Sequence, residues 1–171
     1  FVDWCYRYDF AEFLRIRYGF TEEELLEEYH MWQDYSKTHI PPAYDGMKEI
    51  ILEQKRRGGL VCVASLSSQG NILRDYHTHF GIEPDIVFSC DDPRKHRKPN
   101  VYPLTKIIEK FNLSPADMLM VDDLKIGCDM AKKAGVPMAF AGWSRADFPE
   151  IRAQMSRICD FSFESTKDLA K

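Results

Sequence analysis

The pattern of apolar and polar positions divides the chain into two unlike parts. From Cys5 to Lys37 apolar residues recur at helical spacing, first as Phe10, Phe13 and Leu14 and then as Leu25, Leu26, Tyr29 and Trp32, with a break at Tyr18-Gly19-Phe20. Two helices are predicted. Thr21 followed three residues later by Glu24 is a capping-box pattern, which starts the second helix at Thr21 and sets acidic residues in its electropositive first turn. The stretch Ile40-Pro41-Pro42-Ala43-Tyr44-Asp45-Gly46 stops helix, because proline lacks the backbone donor and pushes its predecessor toward extended geometry. It reads as a hinge.

Beyond it, helical and short apolar segments alternate. Met47 to Arg57 reads as a helix closed by Gly58-Gly59, and Leu60 to Ala64 is a continuous apolar run of the kind a central parallel strand carries. A helix near Gly70 to Phe80, a strand at Ile86 to Ser89, a helix at Val101 to Phe111, a strand at Met118 to Val121 and a helix at Ile126 to Ala134 closed by Gly135 follow. Met138 to Phe140 and Phe161 to Phe163 are two further candidate strands. This rhythm predicts an α/β domain with a mostly parallel sheet.

Composition narrows the class. The length, 171 residues, suits one domain or a compact core with a small appendage. With 44% hydrophobic, 13% aromatic and 29% charged residues the chain is neither disordered nor collagen-like nor a disulfide miniprotein. Lys and Arg number 23 against 27 Asp and Glu, a formal charge of −4, so no global basic field recommends nucleic acid or anionic lipid as a partner. No apolar run approaches the ~18 residues of a membrane-spanning helix. Cys5, Cys62, Cys90, Cys128 and Cys159 form an odd, scattered set without a C-x-x-C pair, which argues against a disulfide framework or a zinc site and reads as small buried thiols in a cytoplasmic protein.

In parallel sheets ligands sit beyond the carboxyl ends of the strands. Ser65-Leu66-Ser67-Ser68 follows the first apolar run, Cys90-Asp91-Asp92 and then Arg94-Lys95-His96-Arg97-Lys98-Pro99 follow the second, and Asp122-Asp123 follows Met118 to Val121. A hydroxyl and a lysine can hold phosphate oxygens, and adjacent carboxylates suit Mg²⁺, which takes few protein ligands and keeps several waters. The candidate chemistry is a phosphate-plus-magnesium site without a P-loop.

This ordered set resembles the haloacid dehalogenase superfamily of phosphohydrolases, in its phosphoglycolate-phosphatase-like branch with a small helical cap between the first two motifs. Leu60 to Ser65 is similar to the family's second motif, Lys98-Pro99 to the third, and Met120-Val121-Asp122-Asp123 through Ala134-Gly135 to the fourth. Ser65 to Lys98 and Lys98 to Asp123 are separated by 33 and 25 residues, spacings of the size the family uses. The resemblance implies a Rossmann-like core over residues 44–171 lacking its first strand, with an N-terminally incomplete cap over 1–43. It implies a Mg²⁺-dependent phosphatase of a small phosphorylated metabolite working through an aspartyl-phosphate. Ser65 and Lys98 would be catalytic, holding the phosphate, with Lys98 also pairing the nucleophile. Asp123 would bind the metal, and Asp122 would assist directly or through water.

Two departures stand out. The family's first motif, a strand ending in Asp-x-Asp that supplies the nucleophile, is not found: Asp3 follows only Phe1-Val2, and no second Asp stands two residues on. The chain opens on Phe1 rather than Met, and the motif is expected upstream of it. In the fourth motif, the position four after Asp123, where many relatives carry another Asp, is Gly127. A phosphomutase or dehalogenase of the same superfamily, or a non-catalytic binding member, is the alternative. Ser65 could instead simply end a strand and cap the next turn, but the accompanying motifs favour phosphate contact. Ser67, Ser68, Lys95 and Arg97 read as turn or solvated-loop residues, and His77 and His79, two apart on a helix, are assigned no role. Trp4, Tyr6, Tyr8, Phe10, Tyr29 and Trp32 read mainly as helix packing, with one or two facing a substrate under the cap.

Overall fold

The computed structural model describes residues 6–8 and 10–171. Asp3, Trp4 and Cys5 therefore lie outside the described residues. Helices α1 (Phe10–Tyr18) and α2 (Glu22–Thr38) form the two expected antecedent helices. They bury Phe13, Leu14 and Leu25 in a small cluster with Ala11 and Phe20. The capping box is present: the Thr21 side chain accepts from the Glu24 amide at 3.2 Å while Glu24 accepts from the Thr21 amide at 2.8 Å.

Helix α3 (Met47–Arg56) then leads into β1 (Cys62–Ala64), α4 (Gln69–Phe80), β2 (Ile86–Phe88), α5 (Tyr102–Phe111), β3 (Met120–Asp122), α6 (Lys125–Ala134), β4 (Met138–Ala141), α7 (Pro149–Ile158), β5 (Phe161–Phe163) and the short α8 (Thr166–Leu169). All strand pairs are parallel. Strand β1 pairs β2 in the register Val63 with Val87, and β3–β4–β5 form a second sheet in which Val121 pairs Ala139 and Phe140 pairs Ser162. The alternation is therefore the α/β, Rossmann-like arrangement expected from the pattern.

One core serves both sheets. Leu104 and Ile107 of α5, Cys128, Met130 and Ala131 of α6, Met138 and Phe140 of β4, and Ile151 and Met155 of α7 are buried together, with Cys62, Ala64, Ile86, Phe88 and Met120 packed against them. Tyr6 is fully buried in the same cluster, and burial pushes its phenol up to about 12. The Leu–Ile and Ile–Met pairs lie three or four positions apart, which turns one stripe of each helix onto the sheet. Strand β4, flanked on both sides, is buried along its whole length.

Two strands start later than the apolar runs predict. Val61 donates its amide to the Asp85 carboxylate at 2.7 Å rather than to a strand, so β1 begins at Cys62. Met118 is tied by its amide to Pro115, and β3 begins at Met120 and runs on to Asp122. The 40–46 stretch is non-helical as expected. It ends at Gly46, whose φ of 79° is left-handed, a conformation open to glycine at little cost, and Thr166 donates its hydroxyl to the Asp45 carbonyl there.

Candidate active site

Of the polar residues beyond the strand ends, the structure brings Lys98 and Asp122 together, while Ser65 makes its contacts with Ser67 and Phe88. Asp122 sits at the last position of β3 and pairs Phe140 of β4, so the sheet sets its position. Lys98, in the turn between β2 and α5, donates its Nζ to Asp122 Oδ2 at 2.7 Å, and both side chains are only 6% exposed. The other carboxylate oxygen accepts the amides of Asp123 at 2.8 Å and Leu124 at 2.9 Å. Both oxygens are thus satisfied, as a buried charge requires. The pair joins the loops after β2 and β3 into one floor.

Gly127 is explained by the same carboxylate. A Cβ placed on Gly127 would lie 2.1 Å from Asp122 Oδ2, so a side chain there cannot coexist with the Lys98–Asp122 pair. The fourth-motif departure is the space that Asp122 occupies.

Asp123 faces differently. Its carboxylate is half-buried and takes the Arg145 guanidinium at 2.6 Å. Burial, followed by the neighbouring Asp122 charge, pushes its pKa above the ordinary aspartate range, while Arg145 and Lys98 oppose the rise. Arg145 ends the short 3₁₀ turn Gly142–Arg145 directly after β4. It was not among the sequence candidates, although the rule that exposed Lys98 and Asp122, reading the residues just past an apolar run, applies equally after Met138 to Phe140.

Ser65 follows β1 and continues its ladder, donating its amide to Phe88 at 2.9 Å. Its hydroxyl oxygen accepts the Ser67 amide at 3.0 Å. The turn-capping reading therefore holds, and the hydroxyl proton stays available to another acceptor. Ser68 is the N-cap of α4, accepting from Asn71. Lys95 is exposed, while Arg97 braces the loop by donating to the Asp92 carbonyl. His79 contacts the Pro41 carbonyl at 2.9 Å. Of the aromatic residues, Tyr29 donates its hydroxyl to Asp91 at 2.7 Å, and Trp32 is half exposed at the edge of a crevice of about 400 Å³ between α2 and α4. The four cysteines among the described residues are free thiols.

No group of three or more His, Cys, Asp and Glu side chains that could hold a metal is found among the described residues. Asp123 still offers a carboxylate of the kind that suits Mg²⁺, which is bound through one or two carboxylates while waters and substrate phosphates complete its shell, whereas both oxygens of Asp122 are already engaged by Lys98 and two backbone amides. No helix among the described residues is long and apolar enough to cross a membrane.

A parallel α/β core thus carries a buried lysine–aspartate pair and a second carboxylate beyond its strand ends. The sequence profile of the haloacid dehalogenase-like hydrolases matches residues 11–141, and the chain belongs to that family. Over 152 residues it is 24% identical to pyrophosphatase PpaX of Bacillus thuringiensis (strain Al Hakam), a match spanning 86% of this chain and 67% of the relative. A crystal structure of a protein named as a phosphoglycolate phosphatase from Lactobacillus plantarum shares the fold with a TM-score of 0.75 and 22% identity, covering 93% of this chain and 75% of that one. A CbbY mutant from Rhodobacter sphaeroides, in complex with xylulose-(1,5)bisphosphate, superposes with a TM-score of 0.66 and 18% identity over 86% of this chain and 64% of its own.

Proposed function

We propose that this chain is the larger part of a Mg²⁺-dependent phosphatase acting on a small phosphorylated metabolite through an aspartyl-phosphate intermediate. The observation that carries the reading is the buried Lys98–Asp122 pair with Asp123 beside it, at strand ends where the family places its phosphate site. The nucleophilic Asp belongs to a strand that precedes residue 1 and slots between β1 and β3. Support for that position comes from the pairing: among the described residues β1 pairs only with β2, and β3 only with β4.

In this reading Lys98, fixed by Asp122, presents the rest of its ammonium donors to a phosphate oxygen, and Ser65 donates its hydroxyl proton to a second. Asp123 would hold the metal, with Asp122, whose oxygens are engaged by Lys98 and two amides, assisting through water. When bound, Mg²⁺ supplies charge that offsets the negative charge on the transferring phosphoryl group. Among the described residues, α1 and α2 would form the cap and residues 44–171 the core, with Tyr6 buried in that core. The pyrophosphatase and phosphoglycolate-phosphatase names of the relatives favour a small anionic substrate. The test is hydrolysis of a chromogenic phosphate ester by the intact protein. Turnover should require Mg²⁺ and disappear with EDTA; EDTA-insensitive turnover, or none with Mg²⁺ present, overturns the reading.

A further inference from the structure

The two carboxylates of the site are held by cations in contrasting ways. Lys98–Asp122 is sealed, both side chains being 6% exposed. Arg145–Asp123 is reachable from solvent, with side chains 20% and 29% exposed. The Arg145 contact is also a poor use of a guanidinium. Arginine meets carboxylate most strongly through two parallel bonds, yet here Nη2 makes the contact while Nε is buried without a hydrogen-bond partner. Such a donor costs free energy as long as it is unpaired.

We propose that Arg145 is an exchangeable counter-cation for Asp123: it holds the carboxylate when no metal is present and must release it for a divalent cation to bind, so that Arg145 sets the metal affinity of the site. This rests on the proposed assignment of Asp123 as metal ligand. A guanidinium and a divalent ion compete for the same carboxylate, because two cations at contact distance repel each other. Asp123 left without either would be a buried charge next to Asp122, which is unfavourable. Arg145 therefore makes the metal-free site stable at the expense of metal affinity. It stands on the turn after β4 rather than in the sheet ladder. It is a positioning residue, acting through Asp123.

Mn²⁺ binding, read by electron paramagnetic resonance on the intact protein, tests this without reference to turnover. Arg145→Met, which keeps an unbranched apolar stem and removes the charge, should bind Mn²⁺ at least about fivefold more tightly than wild type, whereas Arg145→Lys should stay close to wild type. Equal or weaker binding by Arg145→Met overturns the proposal. Wild-type protein supplies a second measurement that needs no variant: the Arg145 Nε resonance should shift on Mg²⁺ titration with a midpoint at the metal dissociation constant, and an unmoved resonance overturns the exchange. Asp123→Asn separates the two levels. If it binds Mn²⁺ as tightly as wild type, the metal assignment fails and the counter-cation idea with it; if it loses binding while Arg145→Met is unchanged, only the counter-cation idea fails.

Discussion

Asp122 and Asp123 are neighbours in sequence and opposites in surroundings, and substitution should separate them. Asp123→Asn removes a carboxylate charge at nearly constant volume; in the intact protein it should abolish Mg²⁺-dependent turnover while the thermal midpoint moves little. Activity near the wild-type level at saturating Mg²⁺ would sink the assignment. Asp122→Asn instead strands a lysine that is 6% exposed, and breaking one side of a buried pair costs about 3–5 kcal/mol. A denaturation midpoint unchanged from wild type would contradict the sealed pair. Gly127→Ala should act in the same direction by about 1–3 kcal/mol, since its Cβ and the Asp122 carboxylate claim the same space. Lys98→Ala, assayed well below its melting temperature, should lower kcat/KM for a generic phosphate ester at least about tenfold, ~1.4 kcal/mol of transition-state binding, and the exposed Lys95→Ala should do little. The reverse order would misplace the third motif. Ser65, Lys98, Asp122 and Asp123 were legible because each stands at or shortly beyond an apolar run. The same rule reaches Arg145 past Met138 to Phe140, but its pairing with Asp123 and the reason for Gly127 were not legible, because both depend on where a carboxylate points in space.

Between elements, the helices that the sequence marked kept their bounds more closely than β1 and β3 did, while α7 (Pro149–Ile158) was not read from the sequence at all. Thr21, Ser68, Gly81 and Gly135 are local stop and start signals that read the same in any tertiary setting. Strand ends depend on partners: Asp85 takes the Val61 amide and shortens β1, an event no apolar pattern encodes. The contact between α2 and α4 was equally invisible. Asn71 bonds Ser36 at 3.0 Å, Ser68 donates to Gln33 at 3.1 Å, and Arg74 reaches the Ser36 carbonyl at 2.6 Å. Ser36, Ser68 and Asn71 are buried, so this polar seam fastens α2 to the core side of the 40–46 stretch. Movement about that stretch has to break it. Asn71→Ala should cost about 1–3 kcal/mol by removing the amide that bridges buried Ser36 and Gln33, and amides of α2 should exchange with deuterium faster than in wild type while those of α6 do not. Unchanged α2 exchange would show that the seam does not fasten the helix.

At the scale of the molecule the two sheets draw on one core yet share no ladder among the described residues. Val121, on β3, is 37% exposed, whereas the helix-covered strands of a parallel sheet are ordinarily buried on both faces. A further parallel strand between β1 and β3 would join the sheets in the order β2–β1–new–β3–β4–β5, pair the backbone groups along both facing edges, and deliver a carboxylate toward the place where Lys98 and Asp122 meet. Unpaired strand edges recruit other chains, so stability and association become readouts of that strand independent of catalysis. A polypeptide of residues 1–171 alone should self-associate in sedimentation at micromolar concentration and leave a chromogenic phosphate ester intact. The same residues preceded by their native upstream segment should sediment without that association and hydrolyse the ester with Mg²⁺. Well-behaved, active 1–171 protein, verified at a mass near 20.0 kDa, would mean that the nucleophile lies within these residues and that the facing edges of β1 and β3 need no further strand.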